Sequence, residues 1–151
     1  MALGLTNLDI APVRGNAALL PNQPIIQGAK VSGSETATLI PGDVVALATG
    51  GAADAIIVKK AAVTDLPVGV VVGNPIKTGF AAGSPISIFP AGSFVYMESG
   101  SASIARGTKV QFDTSGKVKS TTTASNGYVG TAWTAAEAEG DIVIVKIDPS
   151  I

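Results

Sequence analysis

Three carboxylates stand within five residues near the end of the sequence: Glu137, Glu139 and Asp141. Paired carboxylates act as general acid and base when they face each other across a cleft and one has a raised pKa. The surrounding run TAAEAEG permits a short helix from Thr134 to Gly140, with Thr134 as N-cap, on which Glu137 and Asp141 would share one exposed face. Neighbouring exposed carboxylates stay ionised, so the spacing favours a structural role.

The sequence lacks most of the side chains that other catalytic sites and metal sites need. The chain has no Cys and no His, which excludes a thiol nucleophile and removes the usual general base and metal ligand. Among the serines only a Ser-Lys arrangement remains, and no G-x-S-x-G elbow is present. The run Asp113-Thr114-Ser115 resembles the start of a calcium loop without its later acidic ligands. We therefore predict no catalytic residue, no metal, no cofactor and no enzyme.

Composition points to a protein that associates with other proteins. The chain is 46% hydrophobic and only 14% charged, and a surface so poor in charge is prone to association unless partners cover part of it. A net charge of −1 argues against nucleic acid, because phosphate binding needs clustered Lys and Arg. No apolar run is long enough for a membrane span, and the N-terminus lacks the basic region of a signal peptide.

The elements that must position any site are short strands. From Thr36 onward, runs of Val and Ile alternate with turn residues, which predicts nine or ten strands in a small all-β sandwich or barrel over residues 36–151. The run Val68–Val72 is apolar on both faces and predicts a buried central strand. A Gly-Asp pair at Gly42-Asp43, repeated at Gly140-Asp141, predicts a turn into a strand. Thr134–Gly140 is the one short helix that the pattern allows.

Residues 1–35 differ from the rest and predict an extended N-terminal arm. Three prolines in this stretch forbid a long helix. The arm either covers the core of its own domain or reaches a neighbouring subunit, and composition does not decide between the two. Most aromatic residues alternate with small or polar ones, as core residues do, and a lone Trp in a strand is more often core than surface. The candidate interface residues are Leu3, Leu5, Leu8, Ile10 and Trp133.

The block from Thr36 to Ile147 resembles the small capsid cement, or decoration, proteins of tailed bacteriophages. The similar features are GDVV at 42–45, PVGVVVG at 67–73, PAGSFVYME at 90–98, IARGTKVQFDTSGKV at 104–118 and the closing YVGTAWTAAEAEGDIVIVKI. The resemblance implies an all-β homotrimer on the outer surface of the virion, made in the bacterial host cytoplasm. Its partner there would be the major capsid protein, whose neighbouring copies it would bridge. These motifs consist of turn and core residues, so the resemblance carries no catalytic residue to transfer.

Two other functions remain open on the sequence. A glycan- or receptor-binding head or fibre module would use Trp133 or Tyr96 as a stacking platform. A Ser-Lys hydrolase would need a particular Ser and Lys to meet, and no motif pairs them.

Overall fold

The computed structural model describes residues 13–18, 23–50, 55–74, 76–101, 103–113, 115–121 and 127–148. These residues form ten short strands, which confirms the predicted all-β class. None of the described residues is helical, and so the structure contains no helix long and apolar enough to cross a membrane in this part of the chain. The strands are β1 (Ile26–Val31), β2 (Val44–Leu47), β3 (Ile57–Lys60), β4 (Pro67–Val71), β5 (Pro85–Phe89), β6 (Phe94–Glu98), β7 (Lys109–Phe112), β8 (Val118–Thr121), β9 (Tyr128–Ala132) and β10 (Ile142–Ile147).

One kind of turn leads into half of these strands. In each turn the fourth residue donates its backbone N–H to the carbonyl of the first, and the third is a glycine with φ between 79° and 91°. Glycine at this position costs little because it has no Cβ, whereas other residues are strained there. Turns of this kind precede β2, β5, β6, β7 and β10 and span 40–43, 81–84, 90–93, 105–108 and 138–141. The predicted Gly-Asp entries into β2 and β10 are therefore confirmed.

The first five strands close into a small barrel in the order β1-β3-β2-β4-β5. β1 pairs with β3 in parallel and with β5 in the antiparallel sense, which completes the circle. The strand Ile26–Val31 falls inside the stretch that the sequence assigns to the arm. This part of that stretch is thus built into the barrel, while the division at residue 35 stays a prediction.

The last five strands form a second sheet, in the order β6-β10-β9-β7-β8, that packs against the barrel. On β4, Val71 belongs to the barrel interior, whereas Val70 packs with residues of the second sheet. Both are fully buried. β4 lies between β2 and β5, so the prediction of a central strand that is apolar on both faces is confirmed.

The candidate helix at Thr134–Gly140 does not form. Ala136 instead exchanges backbone hydrogen bonds with Ile104, and residues 138–141 make the glycine turn into β10. The Thr134 hydroxyl, expected to cap a helix, accepts a hydrogen bond from the Ile144 amide at 2.8 Å. A two-turn helix has little stability of its own, and pairing with a distant segment satisfies the same backbone groups while Ala136 is buried.

Candidate binding surface

The three clustered carboxylates serve the turn before β10. Asp141 Oδ2 accepts hydrogen bonds from the amides of Glu137 and Ala138, both at 2.9 Å. Glu139 projects into solvent, 66% exposed, with its Oε1 3.6 Å from Lys117 Nζ. Lys117 also bonds Glu98 at 3.0 Å, and this hydrogen bond, together with the two carboxylate charges, raises the pKa of Lys117. The carboxylates do not face each other across a cleft, which supports the structural interpretation.

The Asp113 carboxylate is likewise occupied by its own turn. Its Oδ1 accepts hydrogen bonds from the amides of Ser115 and Lys117 at 2.9 and 3.1 Å. Partial burial raises the pKa of Asp113, but hydrogen bonds from Ser115 and Lys117 and the charge of Lys119 outweigh it, and the net pKa is lowered. Within the described part of the chain, His, Cys, Asp and Glu nowhere form a group of three that could hold a metal ion.

The second sheet carries an apolar face that points away from the barrel, here called the outer sheet face. β6 and β10 alternate strictly, and Val95, Met97, Val143 and Val145 are fully buried toward the barrel. The alternate side chains point outward and are only partly buried. Register places Ile144 beside Tyr96, and the Trp133 amide donates to the Ile144 carbonyl at 2.7 Å. The outer sheet face consists of Phe94, Tyr96, Trp133, Ile142 and Ile144.

Trp133 is the most prominent member of this face. Its side chain is 47% exposed. Its ring meets the ring of Phe94 edge to face, with centroids 4.8 Å apart and planes at 83°. Phe94 begins β6 and Trp133 directly follows β9; because these two strands flank β10, the two rings meet above β10. Rigid aromatic rings fixed by each other and by a sheet lose little entropy on binding, which is why aromatics dominate protein interfaces.

The structure places the predicted interface residues in two groups. Leu3, Leu5, Leu8 and Ile10 lie outside the described residues. Trp133 lies at the surface, so the alternative that it is a core residue is wrong, and its interface role stays a prediction.

Sequence reasoning named Tyr96 as an alternative stacking platform but missed Phe94, Ile142 and Ile144, because strict alternation between two apolar sets does not show which set faces the core. The charged residues on these strands show which set faces outward. Glu98 shares a face with Phe94 and Tyr96, and Lys146 shares one with Ile142 and Ile144. Charged side chains are rarely fully buried, so these two residues mark the outward side.

A charged anchor ties the N-terminal segment 13–18 to both sheets. Arg14 Nη2 lies 2.8 Å from Asp43 Oδ1, and the Asp43 side chain is fully buried. Arg14 Nη1 lies 3.7 Å from the Glu98 carboxylate of the second sheet. Beside it, Ala17 pairs with Val95 and extends the sheet past β6. This part of the predicted arm packs on its own domain.

These features define an all-β protein whose exposed aromatic face suits the binding of another protein. Residues 29–147 match the phage cement protein family, and this span covers most of the chain. The chain therefore belongs to the phage cement protein family, as the resemblance indicated. A comparison with individually curated proteins finds no significant match. The family establishes a structural role in the phage capsid.

Proposed function

We propose that this protein binds the outer surface of the phage head and holds neighbouring major capsid proteins together, as a homotrimer and without catalytic activity. Membership of the cement family supports the capsid as the site of action. The outer sheet face carries the proposal, because it presents Trp133, Phe94 and Tyr96 on one side of a rigid sheet. A chain with seven aromatic residues has three of them on this face rather than in its core.

Such a protein would stabilise the capsid by mass action. A ligand that binds the mature shell and not its dissociated subunits lowers the free energy of the shell. Each copy needs only modest affinity, because the shell offers many equivalent sites and a trimer engages several at once. The host cytoplasm, where the protein would be made, imposes no need for disulfides, and the chain has no Cys.

The test is binding to capsids assembled without this protein. The purified wild type is expected to co-sediment with mature capsids, to saturate at a fixed number of copies and to raise the temperature at which the shells open. Trp133→Ser is expected to remain folded and to lose most of the binding. Ile76→Ser is the matched control, because Ile76 is 93% exposed and lies on the connection between β4 and β5, away from the outer sheet face. A wild type that remains in the supernatant would refute the proposal.

A glycan-binding head module is the second candidate, favoured by the 47% exposure of Trp133 beside Phe94 and Tyr96. Exposed aromatic rings stack on sugar faces as readily as they bind proteins. This function predicts a signal on a glycan array that Trp133→Ser abolishes. Binding to capsids together with no signal on the glycan array would contradict the glycan-binding function.

A further inference from the structure

One end of the barrel exposes four large apolar side chains, here called the barrel mouth. The pairing directions place the starts of β1, β3 and β4 and the end of β2 at the same end. Ala46 of β2 pairs with Pro67 of β4. Leu47, which follows Ala46 and ends β2, and Leu66, which precedes Pro67, therefore lie side by side at this end. The barrel mouth consists of Ile25, Leu47, Ile56 and Leu66, which are 41%, 58%, 41% and 58% exposed. Large apolar side chains gathered at one place on a surface indicate an interaction site.

At the opposite end of the barrel, the protein's own N-terminal segment contacts the barrel. The Gly73 amide donates to the Gly15 carbonyl at 2.7 Å, just beyond the end of β4. A Cβ on Gly15 would lie 2.6 Å from the Gly42 nitrogen, so the two backbones are in close contact there. Residues 13–18 therefore contact the barrel at the end opposite to the mouth.

The direction of the chain shows where the preceding residues begin. Residues 13–18 lie antiparallel to β6, with Gly15 beside Tyr96 and Ala18 beside Phe94, so the chain traced back from Ala18 to Val13 leads toward the end of the barrel opposite to the mouth. Val13, the first described residue, is 52% exposed at that end. Val13, to which residues 1–12 are joined, thus lies at the end of the barrel opposite to the mouth. Twelve residues can reach up to about 40 Å when extended, whereas a strand of five or six residues is about 20 Å long.

We propose that residues 1–12 of one copy occupy the barrel mouth of a neighbouring copy, with Leu3, Leu5 and Leu8 against Leu47, Ile56 and Leu66. To reach its own mouth, the arm would have to reverse and pass along its own barrel, whereas a neighbour arranged head to tail would bring its mouth to the end at which the arm joins Val13. The contact joins two different surfaces, and contacts of this kind generate a closed ring when the rotation between copies allows it. The inference rests on the proposed homotrimer and identifies its seam.

The cysteine-free chain allows a direct test, because introduced thiols have no native competitor. Leu5→Cys chains are co-expressed with Leu66→Cys chains, purified and oxidised. The expected product is a disulfide-linked dimer, at a yield at least tenfold above that of the control pair Leu5→Cys with Ala138→Cys, since Ala138 is exposed on the turn before β10. The double variant Leu5→Cys/Leu66→Cys is expected to give covalently linked oligomers that end at the trimer.

Light scattering provides the second arm. Deletion of residues 1–12 is expected to leave a folded monomer, and Ile56→Ser to weaken association at least tenfold, which corresponds to about 1.4 kcal/mol. Ile76→Ser, the same substitution at the other end of the barrel, is expected to leave the association unchanged. A wild type that is monomeric at every concentration, a trimer that survives the deletion, or a cross-link confined to single chains would each overturn the inference. A trimer with this seam that does not bind capsids would refute the proposed function alone.

Discussion

Replacing Arg14 by Met tests whether the charged anchor holds the N-terminal segment between the two sheets. Met retains the aliphatic part of the side chain and removes the guanidinium. Asp43 then loses its partner at 2.8 Å, while its side chain stays fully buried. The segment also loses the 3.7 Å ion pair with Glu98 and the 3.3 Å hydrogen bond to the Gly116 carbonyl. The perturbation is therefore a carboxylate left in the interior without its main counter-charge.

The expected loss follows from what remains around Asp43. Removing one partner of a buried ion pair typically costs about 3–5 kcal/mol. Asp43 Oδ2 still accepts a hydrogen bond from the Ile40 amide at 2.9 Å, and Lys60 Nζ lies 3.8 Å away. These contacts place the loss at the lower end, about 3 kcal/mol. For a domain of this size, that corresponds to a decrease in Tm of roughly 6–12 °C.

Urea and thermal unfolding, followed by Trp133 fluorescence and circular dichroism, measure the effect. Arg106→Met is the matched control, because Arg106 is exposed and is expected to change stability by less than about 0.5 kcal/mol. The double variant Arg14→Met/Asp43→Asn should recover roughly 1 kcal/mol or more relative to Arg14→Met, since the uncompensated charge is gone. An Arg14→Met protein as stable as the Arg106→Met control would refute the reasoning.

Three further predictions concern the turns, the sheet and the outer face. Acid should destabilise the fold partly through Glu35. Burial raises the pKa of Glu35, but hydrogen bonds from the Ala37, Lys60 and Thr36 amides outweigh burial and lower this pKa below its ordinary value of 4.5. The stability that Glu35 contributes is therefore present above pH 4.5 and is lost as pH falls through the lowered pKa. Glu35→Gln should flatten this loss in urea unfolding at successive pH values, and an unchanged slope would contradict the assignment. Gly130→Ala should lower Tm by more than 5 °C or prevent folding, because a Cβ would overlap the Lys146 carbonyl oxygen; a native Tm would contradict the close approach of β9 and β10. Trp133→Ala should cost only about 1 kcal/mol of stability, through the lost contact with Phe94, while it removes most capsid binding, and equal losses in both assays would assign Trp133 to the fold instead.

Local chemistry made much of the fold predictable. The turn at Gly42-Asp43 needs a residue that adopts positive φ and an acidic side chain that accepts a hydrogen bond from a nearby amide. Gly42 meets the first requirement and Asp43 the second, so the sequence alone predicts the turn. The central position of β4 follows from Val on both faces. The segment at Thr134–Gly140 could not be read in the same way. Its Ala and Glu residues are compatible with a helix, and the helix is excluded only because Ala136 pairs with the distant residue Ile104.

The binding face was harder to predict because surface and core use the same residue types here. In β6 and β10, Phe94, Tyr96, Ile142 and Ile144 point outward, whereas Val95, Met97, Val143, Val145 and Ile147 point inward. Hydrophobicity alone would assign the larger residues to the core, since they have more apolar area to bury. From β6 and β10, the core between the barrel and the second sheet instead takes Val95, Val143 and Val145, together with Met97 and Ile147. The size of the apolar side chains therefore does not decide which set of residues faces outward in these two strands.

The distribution of charge supports the same interpretation. Many of the few charged residues are paired with one another at turns and at the junction of the two sheets: Arg14 with Asp43, Lys59 with Asp65, Lys117 with Glu98 and Lys119 with Asp113. Charged residues increase the solubility of a monomer most when they are spread over its surface. Here they stabilise turns and the N-terminal segment, whereas the outer sheet face and the barrel mouth expose Trp, Leu and Ile. Charge at a binding surface must be desolvated on contact, and aromatic and aliphatic groups avoid that cost. The proposed capsid binding and the proposed contact between copies would thus use two different surfaces.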